Sequence, residues 1–191
     1  LADTAPGGLN ADGNLHSVDL DIKNPNAKDD FEHLPPEKLV EELERASGRY
    51  GVNVVMHEPT CQKCLRFESG LQVRPFFQRL LEPADRRIAW MHSIGLTRQI
   101  LSVWTDIFGY ALPAEKGDAW HRLLNEQLSG FAATRPDAFS WIASGALPHA
   151  ALAARELERA VKQLGAVGGV VATNVEGTNL GELPLDEYWA A

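Results

Sequence analysis

The sequence predicts an α/β fold, the first half of a (β/α)8 barrel of the TIM type with a small β-hairpin insertion. Apolar strand-like segments alternate with amphipathic helical segments, which is the pattern of βαβ units in a parallel sheet. The predicted strands are almost continuously apolar, as expected of strands covered on both faces. Half of the eight units of such a barrel, which takes roughly 250 residues, fit within the 191 residues of this chain.

Each element of this prediction comes from hydrophobic periodicity and from proline or glycine at the element's ends. The predicted strands are 18–22, 99–104, 139–147 and 169–173. The predicted helices are 36–48, 83–93, 116–134 and 150–164, with another starting at Leu185. On these helices and strands we expect Met91, Trp120 and Trp141 in the core and His121 on a helix surface.

The chain divides by composition into a polar, Gly-rich, flexible tail at 1–14 and the half-barrel at 15–191. Residues 51–74 interrupt the alternation of strands and helices. Two β-rich pieces, Val52–Met56 and Leu65–Phe67, flank a turn-like Glu58-Pro59-Thr60, which predicts a β-hairpin.

An open doubly wound sheet is the alternative fold. It would need a Gly-rich phosphate-binding turn after an early strand, and the sequence has no G-x-G-x-x-G or P-loop pattern. A half-barrel leaves two unpaired parallel edges, which are a liability in solution. We therefore expect the missing barrel half to come from the same or another chain, and the protein to form an oligomer.

Composition excludes several classes of partner. The net charge is −8 and the Lys and Arg residues form no basic stripe, so nucleic acid and anionic membranes are not expected partners. No apolar run reaches the roughly 20 residues of a membrane helix. The first 14 residues have neither a basic n-region nor an apolar h-region, so no signal peptide is expected. With only two cysteines, a cytoplasmic location is predicted.

Cys61 and Cys64 form a lone C-x-x-C motif in the predicted hairpin. A zinc site needs four ligands, and His57 could supply only one more. A redox motif would stand at a helix N-terminus. The favoured interpretation is a turn with two incidental thiols, and a reversible disulfide or a metal site with His57 stays open.

Several longer stretches are similar in order and spacing to one known family. They are 87–102 (RIAWMHSIGLTRQILS) followed by Phe108-Gly109-Tyr110, then Leu123–Leu128, Arg135–Phe139 with Ala146-Leu147-Pro148, and Glu156–Gly165 with Thr173-Asn174-Val175. Together they resemble the amidohydrolase-2 family, which contains aminocarboxymuconate-semialdehyde decarboxylase and the γ-resorcylate-type decarboxylases. The resemblance runs from about residue 31 to residue 191.

The resemblance implies a metal-dependent decarboxylase or hydrolase that acts on a small aromatic or unsaturated carboxylate. The family's first-strand ligands are an H-x-H or E-x-H pair, and Asp21 and Lys23 stand at those places in this chain. If the chain is instead aligned on His33-Leu34-Pro35-Pro36, His33 is kept and Phe31 takes the first place. Asp21 and His33 are therefore the candidate ligands of a divalent metal, with Zn²⁺ favoured and Mn²⁺ or Mg²⁺ possible.

Two arginines, Arg74 and Arg79, follow the predicted hairpin, where the family carries an arginine for the substrate carboxylate. A guanidinium binds a carboxylate through two parallel hydrogen bonds. Candidate substrate contacts follow the predicted strands, where barrel sites are built: they are Trp104, Asp106, His149 and Asn174. The alternatives are surface salt bridges for the arginines and a helix cap for His149.

A second function stays open at the level of sequence. Because neither alignment gives an intact H-x-H, the chain could be a non-catalytic half-barrel that completes a partner's barrel. The other barrel segments, which keep the family's order and spacing, favour the enzyme.

Overall fold

The computed structural model describes residues 44–46, 48–60, 62–75 and 82–191. The predicted tail at 1–14, the strand at 18–22, and the candidates Asp21, His33 and Arg79 lie outside these ranges, as does Cys61. The first described residues, 44–46 and 48–50, are helical and fall in the second half of the helix predicted at 36–48. The helix runs two residues past Gly48, the predicted end, because the left-handed glycine that follows it is Gly51, with a φ of 67°.

An antiparallel hairpin follows this helix, as the sequence predicts. β1 (Val52–His57) pairs with β2 (Gln62–Phe67), with Val52 opposite Phe67 and His57 opposite Gln62. The turn is closed by the Thr60 N–H, which donates to the His57 carbonyl at 3.1 Å. Val52, Cys64 and Phe67 are buried, so the hairpin is attached to the core by one face and Cys64 is an interior thiol.

Three segments of the chain then lie side by side and run in the same direction. β3 (Gln99–Leu101) pairs with β4 (Phe139–Trp141) in register from Gln99 opposite Phe139. Beyond β4, Ala143 forms a parallel bridge with Gly169, and the Val170 N–H donates to the Ala143 carbonyl at 2.7 Å. Parallel neighbours joined through helices are βαβ units, which confirms the α/β class; the half-barrel stays a prediction.

The strands predicted at 99–104, 139–147 and 169–173 are too long. The first two end at Leu101 and Trp141, and the third is reduced to the bridge at Gly169. Ala143, Ala146 and Leu147 are buried although they lie outside β4. An apolar run in a sequence indicates that the segment is buried. It does not distinguish a buried strand from a buried loop.

A second short hairpin, formed by β5 (Asn174–Val175) and β6 (Thr178–Asn179), was not predicted. Its two turn residues, Glu176 and Gly177, have positive φ angles of 49° and 87°. A two-residue turn of this kind normally carries Asn-Gly or Asp-Gly, so Glu at its first position gave little sequence signal.

The helices agree with the predictions to within about two residues. They are α1 (Ala84–Ser93), α2 (Ala114–Ala133), α3 (Ala150–Leu164) and the short α4 (Asp186–Trp189). α3 ends as predicted, because Gly165 takes the left-handed conformation with a φ of 80°. No described helix is both long enough and apolar enough to cross a bilayer.

The described residues form three core clusters: one between the helices and the parallel segments, one between the hairpin and α2, and one around Leu147, Val175 and Tyr188. Met91 and Trp141 are buried in the first, as predicted. Trp120 is buried in the second, where its indole N–H donates to the Ile107 carbonyl at 2.8 Å and its ring meets Phe67 edge-on at 6.0 Å. The surface position predicted for His121 is wrong: the residue is 1% exposed.

Two glycines with positive φ provide a matched test of this second cluster. A Cβ on Gly109 would lie 2.5 Å from Phe67 Cε1, whereas a Cβ on Gly95 would meet nothing within 4 Å. Gly95→Ala should cost about 1–2 kcal/mol of unfolding free energy, from the left-handed backbone alone. Gly109→Ala should cost roughly 1–3 kcal/mol more, because Phe67 must move. Urea unfolding measures the change in unfolding free energy of each variant. Equal changes in Gly95→Ala and Gly109→Ala would contradict tight packing around Phe67.

Candidate functional site

Three of the predicted site residues meet beside the carboxyl end of β3. Arg74 Nη2 lies 3.2 Å from Asp106 Oδ2, and the guanidinium carbon of Arg74 lies 5.0 Å from the centroid of the Trp104 ring. The guanidinium is thus held by an ion pair and by a cation–π contact at once. Residues that are far apart in sequence, after β2 and after β3, form one cluster, named the Arg74 site below.

Buried neighbours fix both sides of the Arg74 site. Val73 is buried, and its N–H donates to the Leu65 carbonyl at 2.9 Å, which holds the Arg74 backbone along β2. Asp106 lies in a 3-10 turn, Thr105–Ile107, directly after Trp104. Ile107 is buried and its carbonyl accepts the Trp120 hydrogen bond, so the turn is anchored to the core while Asp106 stays at the surface.

The Arg74 site is open to solvent. The side chains of Arg74 and Asp106 are 57% and 40% exposed. A planar cation resting on an aromatic face is oriented in advance and can receive a carboxylate from solution. An incoming carboxylate would share the guanidinium with Asp106 or displace Asp106 from it, so the cluster is suited to binding and orienting an anion.

His149 and Asn174 make local contacts in their own loops. His149 precedes α3, and its carbonyl accepts from the N–H groups of Leu152 and Ala153 at 2.9 and 3.0 Å. His149 thus takes the N-cap position of α3, as the helix-cap alternative has it, but its imidazole makes no capping hydrogen bond. Asn174 Oδ1 accepts from the Gly177 N–H at 3.4 Å inside the β5–β6 turn. Both stay candidates for substrate contact.

The metal prediction falls outside the described residues, since Asp21 and His33 are both outside them. Within the described ranges, no three His, Cys, Asp or Glu residues lie close enough together to hold a metal ion. The described residues therefore do not make a metal centre by themselves.

A buried polar network that the sequence analysis missed connects α2, the segment after β4, and α3. Asn125 lies at its centre and bonds Ser144 on one side and the Glu156 carboxylate on the other. His121 Nδ1 lies 2.8 Å from Ser144 Oγ, and Arg159 donates to both Glu156 oxygens at 2.7 and 2.8 Å. The sequence contains one indication of this network, because Glu156 interrupts the apolar face of α3 three residues after Ala153.

Burial determines the charge states in this region. Loss of solvation lowers the pKa of His121 from 6.5 to about 3, and the nearby Phe108 carbonyl offsets only part of the effect. His121 is therefore neutral at physiological pH. Burial also raises the pKa of Tyr110 to about 12, so its hydroxyl, which lies 3.5 Å from the Ala172 N–H, keeps its proton.

The His121 pKa predicts a pH-dependent stability. Because the folded-state pKa lies below the unfolded value, the stabilisation is complete above pH 6.5 and is lost as pH falls toward 3. Inside that window the free energy of unfolding should fall by about 1.4 kcal/mol per pH unit from this group. His121→Asn, which retains a group near Ser144, should remove that slope in urea titrations across the window. Ser129→Ala, on the same helix, changes no titratable group and should keep the slope. An unaltered slope in His121→Asn would contradict a buried neutral imidazole.

Comparison with known proteins gives relatives of one kind, although no family model matches the chain. The gamma-resorcylate decarboxylase of Polaromonas is 33% identical over 115 residues, which are 58% of this chain and 35% of that protein. The 2,6-dihydroxybenzoate decarboxylase from Rhizobium is 30% identical with a TM-score of 0.52, covering 59% of this chain and 37% of that one.

A third relative was solved with ligands. The 5-carboxyvanillate decarboxylase from Novosphingobium aromaticivorans, in complex with manganese and 4-hydroxy-3-methoxy-5-nitrobenzoic acid, is 25% identical with a TM-score of 0.56. The match covers 59% of this chain and 32% of that one. The chain spans about a third of the length of the relatives it matches. Over the aligned 59% of the chain, the predicted resemblance to the amidohydrolase-2 family and its γ-resorcylate-type decarboxylases is confirmed.

Proposed function

We propose that this chain provides the carboxylate-binding side of a metal-dependent decarboxylase for a small aromatic acid, with Arg74 as the group that binds the substrate carboxylate. The observation that carries the proposal is the guanidinium of Arg74, stacked on Trp104, paired with Asp106 and open to solvent. The three relatives described above are decarboxylases whose names give aromatic carboxylates as substrates. They favour decarboxylation over hydrolysis, and they do not favour the non-catalytic half-barrel.

The chemistry of the Arg74 site fits an aromatic acid. The guanidinium can pair with the substrate carboxylate through two parallel hydrogen bonds. Trp104 provides an apolar face beside that pair, and Asp106 can accept a hydrogen bond from a phenolic hydroxyl. Arg79, His149 and Asn174 are proposed as further groups around the same substrate.

A divalent metal completes the proposal. Asp21 and His33 are its candidate ligands in this chain, and the further ligands would come from the part of the barrel that these residues do not include. When bound, the metal would polarise substrate oxygens. The manganese in a relative supports a divalent ion and favours Mn²⁺ over the Zn²⁺ predicted from the sequence. The missing barrel half, an oligomer and a cytoplasmic location belong to the same proposal.

The role of Arg74 is tested by equilibrium binding of 2,6-dihydroxybenzoate. Because its side chain is 57% exposed, solvent screens the pair, and Arg74→Gln should raise the Kd by about 5- to 30-fold. Arg74→Lys should have a Kd between those of the unchanged protein and Arg74→Gln, because lysine keeps the positive charge but cannot make two parallel hydrogen bonds to a carboxylate. Arg155→Gln, on the exposed face of α3, is the matched control and should bind like the unchanged protein. An unchanged Kd in Arg74→Gln would rule out Arg74 as the carboxylate ligand.

Metal content tests the other half of the proposal. Elemental analysis of the purified protein should find bound divalent metal, and Asp21→Ala or His33→Ala should lower the metal retained after dialysis. His16→Ala is the control, because neither alignment makes His16 a ligand. Chelator should abolish decarboxylation, and Mn²⁺ should restore it. Protein without metal, whose activity ignores the chelator, would contradict the proposal.

A further inference from the structure

We infer that Asn125 is a positioning residue: through a buried clamp on Ser144, it fixes the loop after β4 that leads to His149 and faces the proposed substrate. The identity of the ligand in this inference rests on the proposed function, whereas the clamp itself rests on the structure alone.

The clamp consists of two hydrogen bonds to the main chain of one residue, and the Ser144 hydroxyl adds a longer one to Asn125 Oδ1 at 3.4 Å. Asn125 Oδ1 accepts from the Ser144 N–H at 3.0 Å, and Asn125 Nδ2 donates to the Ser144 carbonyl at 2.9 Å. Both partners are buried, with Asn125 0% and Ser144 2% exposed. Two bonds from one amide to the main chain of one residue fix the orientation of the peptide planes on both sides of Ser144.

Glu156 holds the amide of Asn125 in the orientation that the clamp needs. Asn125 Nδ2 also donates to Glu156 Oε1 at 2.9 Å, so its nitrogen and oxygen cannot exchange places. The Glu156 carboxylate, 1% exposed, is in turn bound by two nitrogens of Arg159 and lies 3.7 Å from Arg122. A buried carboxylate that lost Asn125 would keep these charged partners, so the network can survive the loss of the clamp.

The clamp acts where the chain leaves the parallel layer. Ala143 makes the last bridge of that layer, to Gly169, and Ser144 is the next residue. The loop then runs through Gly145, packed against Ala153, and the buried Leu147 to His149 at the start of α3. Carboxyl ends of neighbouring parallel strands meet at one edge, so this loop borders the turn after β3 that carries Trp104 and Asp106.

Stability alone is a poor explanation for such a network. A buried ion pair with its hydrogen bonds is commonly no more stabilising than well-packed apolar residues of the same volume. What apolar residues cannot supply is a fixed direction for a particular carbonyl and N–H group. These polar groups bind the main chain at Ser144, where the chain leaves the parallel layer and enters the loop.

The test compares Asn125→Leu with Ser129→Ala. Ser129, one turn further along α2, donates to the Leu164 carbonyl at 2.8 Å and so also links α2 to α3, but far from the loop. Both variants are measured by amide hydrogen exchange of residues 144–147 and His149 and by the Kd of 2,6-dihydroxybenzoate, at a temperature where both are folded. Asn125→Leu should accelerate exchange at Ser144 and its neighbours about tenfold and raise the Kd about tenfold. Ser129→Ala should change neither.

If folded Asn125→Leu has unchanged hydrogen exchange and an unchanged Kd, the inference is overturned. It is also overturned if Ser129→Ala raises the Kd equally, because general destabilisation would then explain the effect of both variants. The exchange measurement needs no ligand. Faster exchange confined to Asn125→Leu, in a protein that never binds 2,6-dihydroxybenzoate, supports the clamp and contradicts only the proposed function. If Asn125→Leu does not fold, Asn125→Ala makes the same test, because it removes both bonds of the clamp and brings no new charge next to Glu156.

Discussion

In the described part of the molecule, the positions of the two loops that follow β3 and β4 depend on their contacts with α2. One face of this helix buries Trp120 against the hairpin and holds the turn that carries Asp106 through the Ile107 carbonyl. Another face places Asn125 between Ser144 and Glu156, and so ties the exit of β4 to α3. Both loops that border the proposed substrate are therefore attached to the same helix. A single hydrogen bond inside an apolar cluster holds the first loop, and a network of polar side chains holds the second.

This arrangement explains how a surface arginine can have a defined geometry. Exposed ion pairs usually contribute little to stability, because long side chains lose entropy when they pair. Arg74 avoids part of that cost, since the Trp104 ring and Asp106 both belong to a turn that is itself fixed by buried residues. The guanidinium is thereby set in one place without being withdrawn from solvent, which is what capture of a soluble aromatic acid requires.

The sequence predicts the helices well and the strands only in outline. Helices have a periodic pattern, with ends marked by Pro83 and Gly165. The apolar run at 139–147 instead combines a short strand with a buried loop, and the run at 169–173 is exposed or half-buried with a single bridge at Gly169. Trp104 and Asp106 could be predicted from their position after a strand, and Arg74 from the family resemblance. The structure has the surface salt bridge that was the alternative for Arg74, but its partner could not be predicted, because Arg74 and Asp106 meet only through the fold. The network of Asn125 and Glu156 was missed because polar residues on a helix are first read as solvent-facing. His121 was misplaced for the same reason.

A crystal of the protein soaked with 2,6-dihydroxybenzoate would test the proposed role of Arg74. If Arg74 binds the carboxylate of an aromatic acid, the carboxylate should lie within about 3 Å of the Arg74 guanidinium nitrogens, with the aromatic ring beside Trp104. A ligand bound away from the carboxyl end of β3, with the Arg74–Asp106 ion pair unchanged, would contradict that role.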